Sequence, residues 1–144
     1  VILLVEDNPD DQLLAKRALT QNRIANQVIV TSDGEEAMEY LFGTGRFAGR
    51  NTWDLPAVVL LDLKLPKVDG LEVLRRVRAD DRTKLIPIVM LTSSKQEQDL
   101  IASYSLGVNS YIRKPVDFNQ FVEAVRQFGL YWLVLNEAPP VVAK

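Results

Sequence analysis

Two residue types are missing from this chain of 144 residues: cysteine and histidine. Without cysteine there is no disulfide framework, no thiol nucleophile and no Cys-based metal site. Without histidine there is no Ser-His-Asp or Cys-His catalysis, no His-ligated zinc and no phosphohistidine on this chain. A charge excess of one sign is also lacking. The 17 Lys and Arg against 19 Asp and Glu leave a formal net charge of −2, so the field of the chain as a whole favours neither nucleic acid nor an anionic membrane. No apolar run approaches the ~20 residues that a membrane helix needs. The opening Val1-Ile2-Leu3-Leu4-Val5 is too short for the core of a signal peptide and runs straight into acids, so a cytoplasmic protein is expected. The chain begins at Val1 and not at Met, as one trimmed from a longer chain would. The chemistry left open rests on carboxylates, hydroxyls, lysine and a hard metal.

An apolar content of 47% is enough to build the core of one domain of ordinary size. Val1–Val5 is a short continuous apolar run, the pattern of a strand buried on both faces. Similar runs recur at Val28–Thr31, Ala57–Leu61, Ile86–Leu91 and, more weakly, Ser110–Ile112. Helix starts lie between them. Asn8-Pro9 reads as an N-cap followed by Pro at the first helical position. Asp33 with Glu36, Asp69 with Glu72, Ser94 with Glu97 and Asp117 with Gln120 each pair a cap residue with Glu or Gln three positions on. Helices are therefore expected over 10–42 in two pieces around the second strand, and over 69–79, 95–105 and 117–135. Strands that alternate with helices indicate an α/β domain with a parallel sheet. Gly43–Asp54 reads as a long surface loop, because its Gly43-Thr44-Gly45 follows a helix and lacks the spacing of a nucleotide-binding glycine motif. The expected division is a domain over 1–135, with its last helix running to about 135, and a flexible tail over 136–144 that contains Pro139-Pro140.

In parallel α/β sheets, ligands gather at the carboxyl ends of the strands. Those ends carry Glu6-Asp7, Asp62, Thr92-Ser93 and Lys114-Pro115. Each alone has a plainer account: a solvated turn acid, an N-cap for Asp7, a strand terminus for Thr92, a surface charge for Lys114. Together they make a coherent set. Clustered carboxylates repel unless a cation neutralises them. With only oxygen ligands on offer, Mg²⁺ is favoured, with Mn²⁺ as a substitute. A carboxylate beside such an ion can attack phosphorus and form an acyl phosphate, and a nearby Lys and Thr can bind the phosphoryl oxygens.

The order Val5-Glu6-Asp7, Leu60-Leu61-Asp62-Leu63-Lys64-Leu65-Pro66, Asp69-Gly70, Leu91-Thr92-Ser93 and Lys114-Pro115 resembles the receiver domain of two-component response regulators. The likeness spans residues 1 to about 129. It implies a flavodoxin-like (βα)5 three-layer sandwich with a parallel five-stranded sheet in the order 2-1-3-4-5. It also implies a phosphorylation-activated signalling domain that is not an enzyme in the ordinary sense, since it promotes only its own phosphorylation and slow dephosphorylation. By the same resemblance, Asp62 is the phospho-acceptor, served by Thr92 and Lys114. Glu6, Asp7, Asp62 and the backbone carbonyl of Lys64 hold the metal. Thr92 and Tyr111 form a switch, and Lys114-Pro115 is a cis peptide. Glu6 stands where Asp is commoner in such domains, and Lys64 and Ser94 occupy flanking positions that bear on phosphate lifetime.

Phosphorylation would add roughly −1.5 to −2 charges beside Thr92. It would bias the face made by helix 95–105, strand 110–112 and helix 117–135 between two arrangements. Phe121, Val125, Phe128, Trp132 and Leu135 form an apolar stripe along the last helix, joined by Tyr131 near its end. A homodimer through this face is expected, with fold-back of Tyr131, Trp132 and Leu135 onto their own domain as the alternative. The expected partners are a sensor histidine kinase or a phosphotransfer protein, with no membrane and no nucleic acid. The extended last helix and the 43–54 loop resemble the small regulators that serve bacterial and cyanobacterial phytochromes. Two other readings compete. One is a receiver cut from a DNA-binding transcription regulator, given Arg75, Arg76 and Arg78 on one helix. The other is an aspartate-nucleophile phosphatase, which lacks its usual second acid because position 64 is Lys.

Overall fold

The computed structural model describes residues 1–21, 27–92, 105, 107, 108, 110–113, 119, 120 and 123. The strands are β1 (Ile2–Val5), β2 (Val28–Thr31), β3 (Val58–Asp62), β4 (Ile88–Thr92) and β5 (Ser110–Arg113). The helices are α1 (Pro9–Gln21), α2 (Gly34–Phe42) and α3 (Gly70–Ala79), with a 3₁₀ turn at Gly45–Phe47. The strands form one parallel sheet in the order β2-β1-β3-β4-β5, as the sequence resemblance implied. Central β1 pairs on both sides, with Ile2 opposite Val28 on one edge and Val58 on the other.

The continuous apolar runs follow from this position. Ile2, Leu3, Leu4 and Val5 are all fully buried, because helices cover both faces of β1. Burying each such side chain contributes about 1.5–3 kcal/mol. Parallel strands joined through helices make right-handed crossovers. The step from β1 to β2 runs in one direction along the sheet, while β2 to β3 and β3 to β4 run in the other. Right-handedness then puts α1 on one face and α2 with α3 on the opposite face. The core divides in that way. Ala15 and Leu19 of α1 pack with Ile2, Leu4, Val58, Leu60 and Leu91. Ala37 and Leu41 of α2 and Val73, Leu74 and Val77 of α3 pack with Leu3, Val5, Val59, Leu61 and Met90.

Three of the five expected caps, at Asn8, Asp33 and Asp69, fall where the sequence placed them, and those at Ser94 and Asp117 lie outside the described residues. The Asp33 carboxylate accepts from the Glu36 N–H at 2.7 Å, and that of Asp69 from the Glu72 N–H at 2.9 Å. Asn8 Oδ1 accepts from the Asp10 and Asp11 N–H groups at 2.8 and 3.3 Å, which opens α1. Strand limits differ slightly. The expected strand start at Ile86 moves to Ile88, because the Ile86 N–H closes a turn onto the Thr83 carbonyl and Pro87 has no N–H to give. β3 gains Asp62, so that residue ends the strand instead of following it. Ser105, Asn119, Gln120 and Glu123 are helical. The rest of the expected helices 95–105 and 117–135, the tail 136–144, and Phe121, Val125, Phe128, Tyr131, Trp132 and Leu135 lie outside the described residues. Among the described residues, no helix is long and apolar enough to cross a membrane.

Candidate metal centre

The strand order reverses between β2-β1 and β1-β3, so the loops after β1 and β3 leave in opposite directions and open a crevice between them. Both loops carry acids. The Glu6 N–H donates to the Thr31 carbonyl at 3.0 Å, which extends the β1–β2 ladder by one residue. Glu6 is only 1% exposed, and its Oε2 accepts from the Asn8 N–H at 3.1 Å. Asp7 follows and is exposed. Asp62, the last residue of β3, is 5% exposed. Its Oδ1 accepts from the Lys64 N–H at 3.3 Å, so the chain curls round the carboxylate. Carboxylate oxygens of Glu6, Asp7 and Asp62 all lie within 4.8 Å of one another.

Three carboxylates this close, two of them buried, repel one another when ionised. Oxygen-only donors at this spacing suit a hard divalent ion that keeps some of its waters. The donor set thus fits the metal that the sequence resemblance implied. A soft or nitrogen-seeking metal has no His or Cys to bind in this chain.

The loop behind Asp62 is held by close backbone contact. The Gly70 N–H donates to the Leu63 carbonyl at 3.1 Å, and a Cβ on Gly70 would stand 2.2 Å from the Asp62 carbonyl oxygen. A Cβ on Gly34, at the start of α2, would stand 1.7 Å from the Val68 carbonyl oxygen. Lys67 between them takes a left-handed backbone with φ 64°, and its Nζ lies 3.6 Å from Asp33 and 3.8 Å from Glu35. The loop from Asp62 to Gly70 is therefore seated on the first turns of both α2 and α3. The sequence showed Asp33 only as a cap position, and Asp69-Gly70 as a cap position and as part of the receiver-like pattern.

Thr92 ends β4, in register with Arg113 of β5, and the β4 and β3 ends lie side by side with Leu91 opposite Asp62. Tyr111 pairs with Met90 and packs, half-buried, against the core on the α2–α3 side. Lys114 and Pro115 lie outside the described residues. Gln12, which donates to the Glu6 carbonyl, was missed in the sequence, where a glutamine in a helix carries no signal.

The pattern of the response regulator receiver domain matches residues 2–126. Among curated proteins, the probable methanogenesis regulatory protein FilR2 of Methanothrix harundinacea is 41% identical over 142 residues, covering 96% of this chain and 87% of the relative. Response regulator Rcp1 of Synechocystis sp. is 39% identical over 133 residues, covering 92% and 88%. Among solved structures, the bacteriophytochrome response regulator AtBRR superposes with a TM-score of 0.84 at 57% identity, covering 94% of this chain and 96% of that one. The Mn²⁺-bound form of Rcp1 gives 0.75 at 36%, covering 99% and 97%. The phosphorylated cyanobacterial phytochrome response regulator RcpA gives 0.74 at 41%, covering 92% of each. The chain belongs to the response regulator receiver domain family. Its relatives and structural neighbours include response regulators of phytochromes along nearly their whole length.

Proposed function

We propose that this protein is a phosphorylation-activated response regulator, in which Asp62 accepts a phosphoryl group from a sensor histidine kinase or a phosphotransfer protein in the cytoplasm. The observation that carries the reading is the convergence of Glu6, Asp7 and Asp62 at the switch point of the sheet, with oxygens within 4.8 Å of one another. A carboxylate oxygen of Asp62 attacks phosphorus of the donor phosphohistidine. The O–P bond forms as the P–N bond breaks, and the electron pair leaves on the imidazole nitrogen, which takes up a proton. Glu6, Asp7, Asp62 and the Lys64 carbonyl would hold Mg²⁺, or Mn²⁺ in its place. When bound, the ion neutralises charge on the phosphoryl oxygens. Thr92 and Lys114 bind those oxygens, and Lys114 offsets the charge of the acyl phosphate. The Mn²⁺-bound Rcp1 and the phosphorylated RcpA among the neighbours support this reading.

Thr92 and Tyr111 would carry the change to the face of helix 95–105, β5 and helix 117–135, through which the protein would dimerise. Light scattering at micromolar concentration, with and without phosphorylation, tests this; a monomer in both conditions removes the dimer. A phytochrome-type kinase is the proposed phosphoryl source, supported by the identity to AtBRR. A DNA-binding role for the α3 arginines finds little support. Arg75 and Arg76 both bond Glu72, and Arg78 is spent on backbone carbonyls of the two neighbouring loops.

The test of the central claim is incubation with acetyl phosphate and Mg²⁺, followed by intact mass. The expected result is one added phosphoryl group, absent in Asp62→Asn. No adduct, or an adduct kept in that variant, overturns it.

A further inference from the structure

Gln12 is the fourth residue of α1, and its amide Nε2 carries two donors. It donates to the Glu6 carbonyl at 2.6 Å and also lies 3.4 Å from Ser32 Oγ at the end of β2. The Glu6 N–H is already held by the Thr31 carbonyl at 3.0 Å. Glu6 is thus fixed at both of its backbone polar groups, one by β2 and the other by Gln12. The carbonyl that Gln12 grips belongs to the same peptide plane as the Asp7 nitrogen. Rotation of that plane would swing Asp7 away from Asp62 and turn Glu6 out of its buried position. Asn8 completes the frame, since its N–H bonds the Glu6 carboxylate while its side chain opens the helix that carries Gln12.

We infer that Gln12 is a positioning residue for the divalent-cation site, which sets the Glu6–Asp7 peptide so that both carboxylates face Asp62. This rests on the proposed reading of Glu6, Asp7 and Asp62 as that site. The residue type suits the task. A neutral amide donates without adding charge. Lysine or arginine could donate too, but would bring a positive charge beside a cation. Glutamate has the same length but, ionised, no N–H to give.

The test uses the full chain and Mn²⁺ as probe, with free Mn²⁺ read by electron paramagnetic resonance. Gln12→Met keeps the bulk and loses the donors. Gln12→Ala loses both, but alanine is the better helix former. Both variants should bind Mn²⁺ about tenfold more weakly than wild type, the effect usual for groups that orient metal ligands. Their thermal midpoints in chelator should stay near wild type, because the backbone bond from the Gln12 N–H to the Asn8 carbonyl survives either change. Mn²⁺ binding as tight as wild type in both variants overturns the inference, whatever happens to the midpoints. Asp7→Asn serves as the reference for a damaged site. If wild type itself binds no Mn²⁺, the reading of the acidic cluster falls as well.

Discussion

A methyl group on Gly70 would sit 2.2 Å from the Asp62 carbonyl oxygen and 2.9 Å from Leu63 Cα, both backbone atoms that cannot rotate away. Gly70→Ala should therefore lower stability by about 1–3 kcal/mol, the usual cost of overpacking, and should slow phosphoryl uptake by displacing Asp62. Urea unfolding and timed mass spectra check the two parts. Tyr40 gives a prediction in pH. Burial pushes its hydroxyl pKa up, Arg50 pulls it down, and Asp54 pushes it up again, for a net rise. The folded state thus holds the phenol proton longer than the unfolded state does. This contribution is intact below the ordinary tyrosine pKa of about 10 and is lost as pH climbs through the folded value. Stability measured across that alkaline range should fall, and Tyr40→Phe should flatten the part of the fall due to this group. The site acids could be read from the sequence because charged residues at the ends of apolar runs stand out. Gln12 and the left-handed Lys67 could not, since one acts through a carbonyl and the other through a dihedral angle.

The segment from Gly43 to Asp54 reads as a long surface loop, yet arginines pin it. Arg50 Nε donates to the Tyr40 carbonyl at 2.7 Å, and its guanidinium lies 4.0 Å from the Tyr40 ring centre. That ring face meets a group whose Nη2 is buried without a hydrogen-bond partner. Phe47 closes edge-on against Tyr40 at 5.0 Å. From the far side, Arg82 donates to the Thr52 carbonyl at 2.5 Å and to the Leu41 carbonyl at 2.7 Å, in the last turn of α2. A cation there satisfies an orphan carbonyl and meets the negative end of the helix dipole. Arg82→Ala should cost about 1–3 kcal/mol, given charge-assisted bonds to partly buried groups. Amide exchange should rise across 43–57 before it rises in the sheet. Arg82→Lys should recover only part, because one ammonium cannot serve both carbonyls with the same fork. This tether was hidden in the sequence because backbone acceptors have no residue signature. The strands and helices α1, α2 and α3 were legible because caps and apolar runs do have one. The two-residue shift of β4 came from Pro87, which the apolar run masked.

For the molecule as a whole, cation binding in the acidic crevice would be linked to folding. A divalent ion that binds only the folded chain should add about 2.7 kcal/mol at a concentration of 100 times its Kd. Calorimetry in Mg²⁺ or Mn²⁺ should show the midpoint rising with concentration, and Asp7→Asn should remove most of the rise. A flat midpoint in wild type would count against the site. The 43–57 loop enters β3 at its amino-terminal end, opposite the end that carries these acids, so its Arg82→Ala loss should leave the cation-induced rise unchanged. The strand order also bears on how the chain is made. β1 leaves the ribosome before the other strands described here, yet it lies between two that come later. One of its edges waits for residues 28–31 and the other for residues 58–62. Throughout that interval this wholly apolar strand has an open edge, and its closure by β3 is the same event that first brings Asp62 beside Glu6 and Asp7.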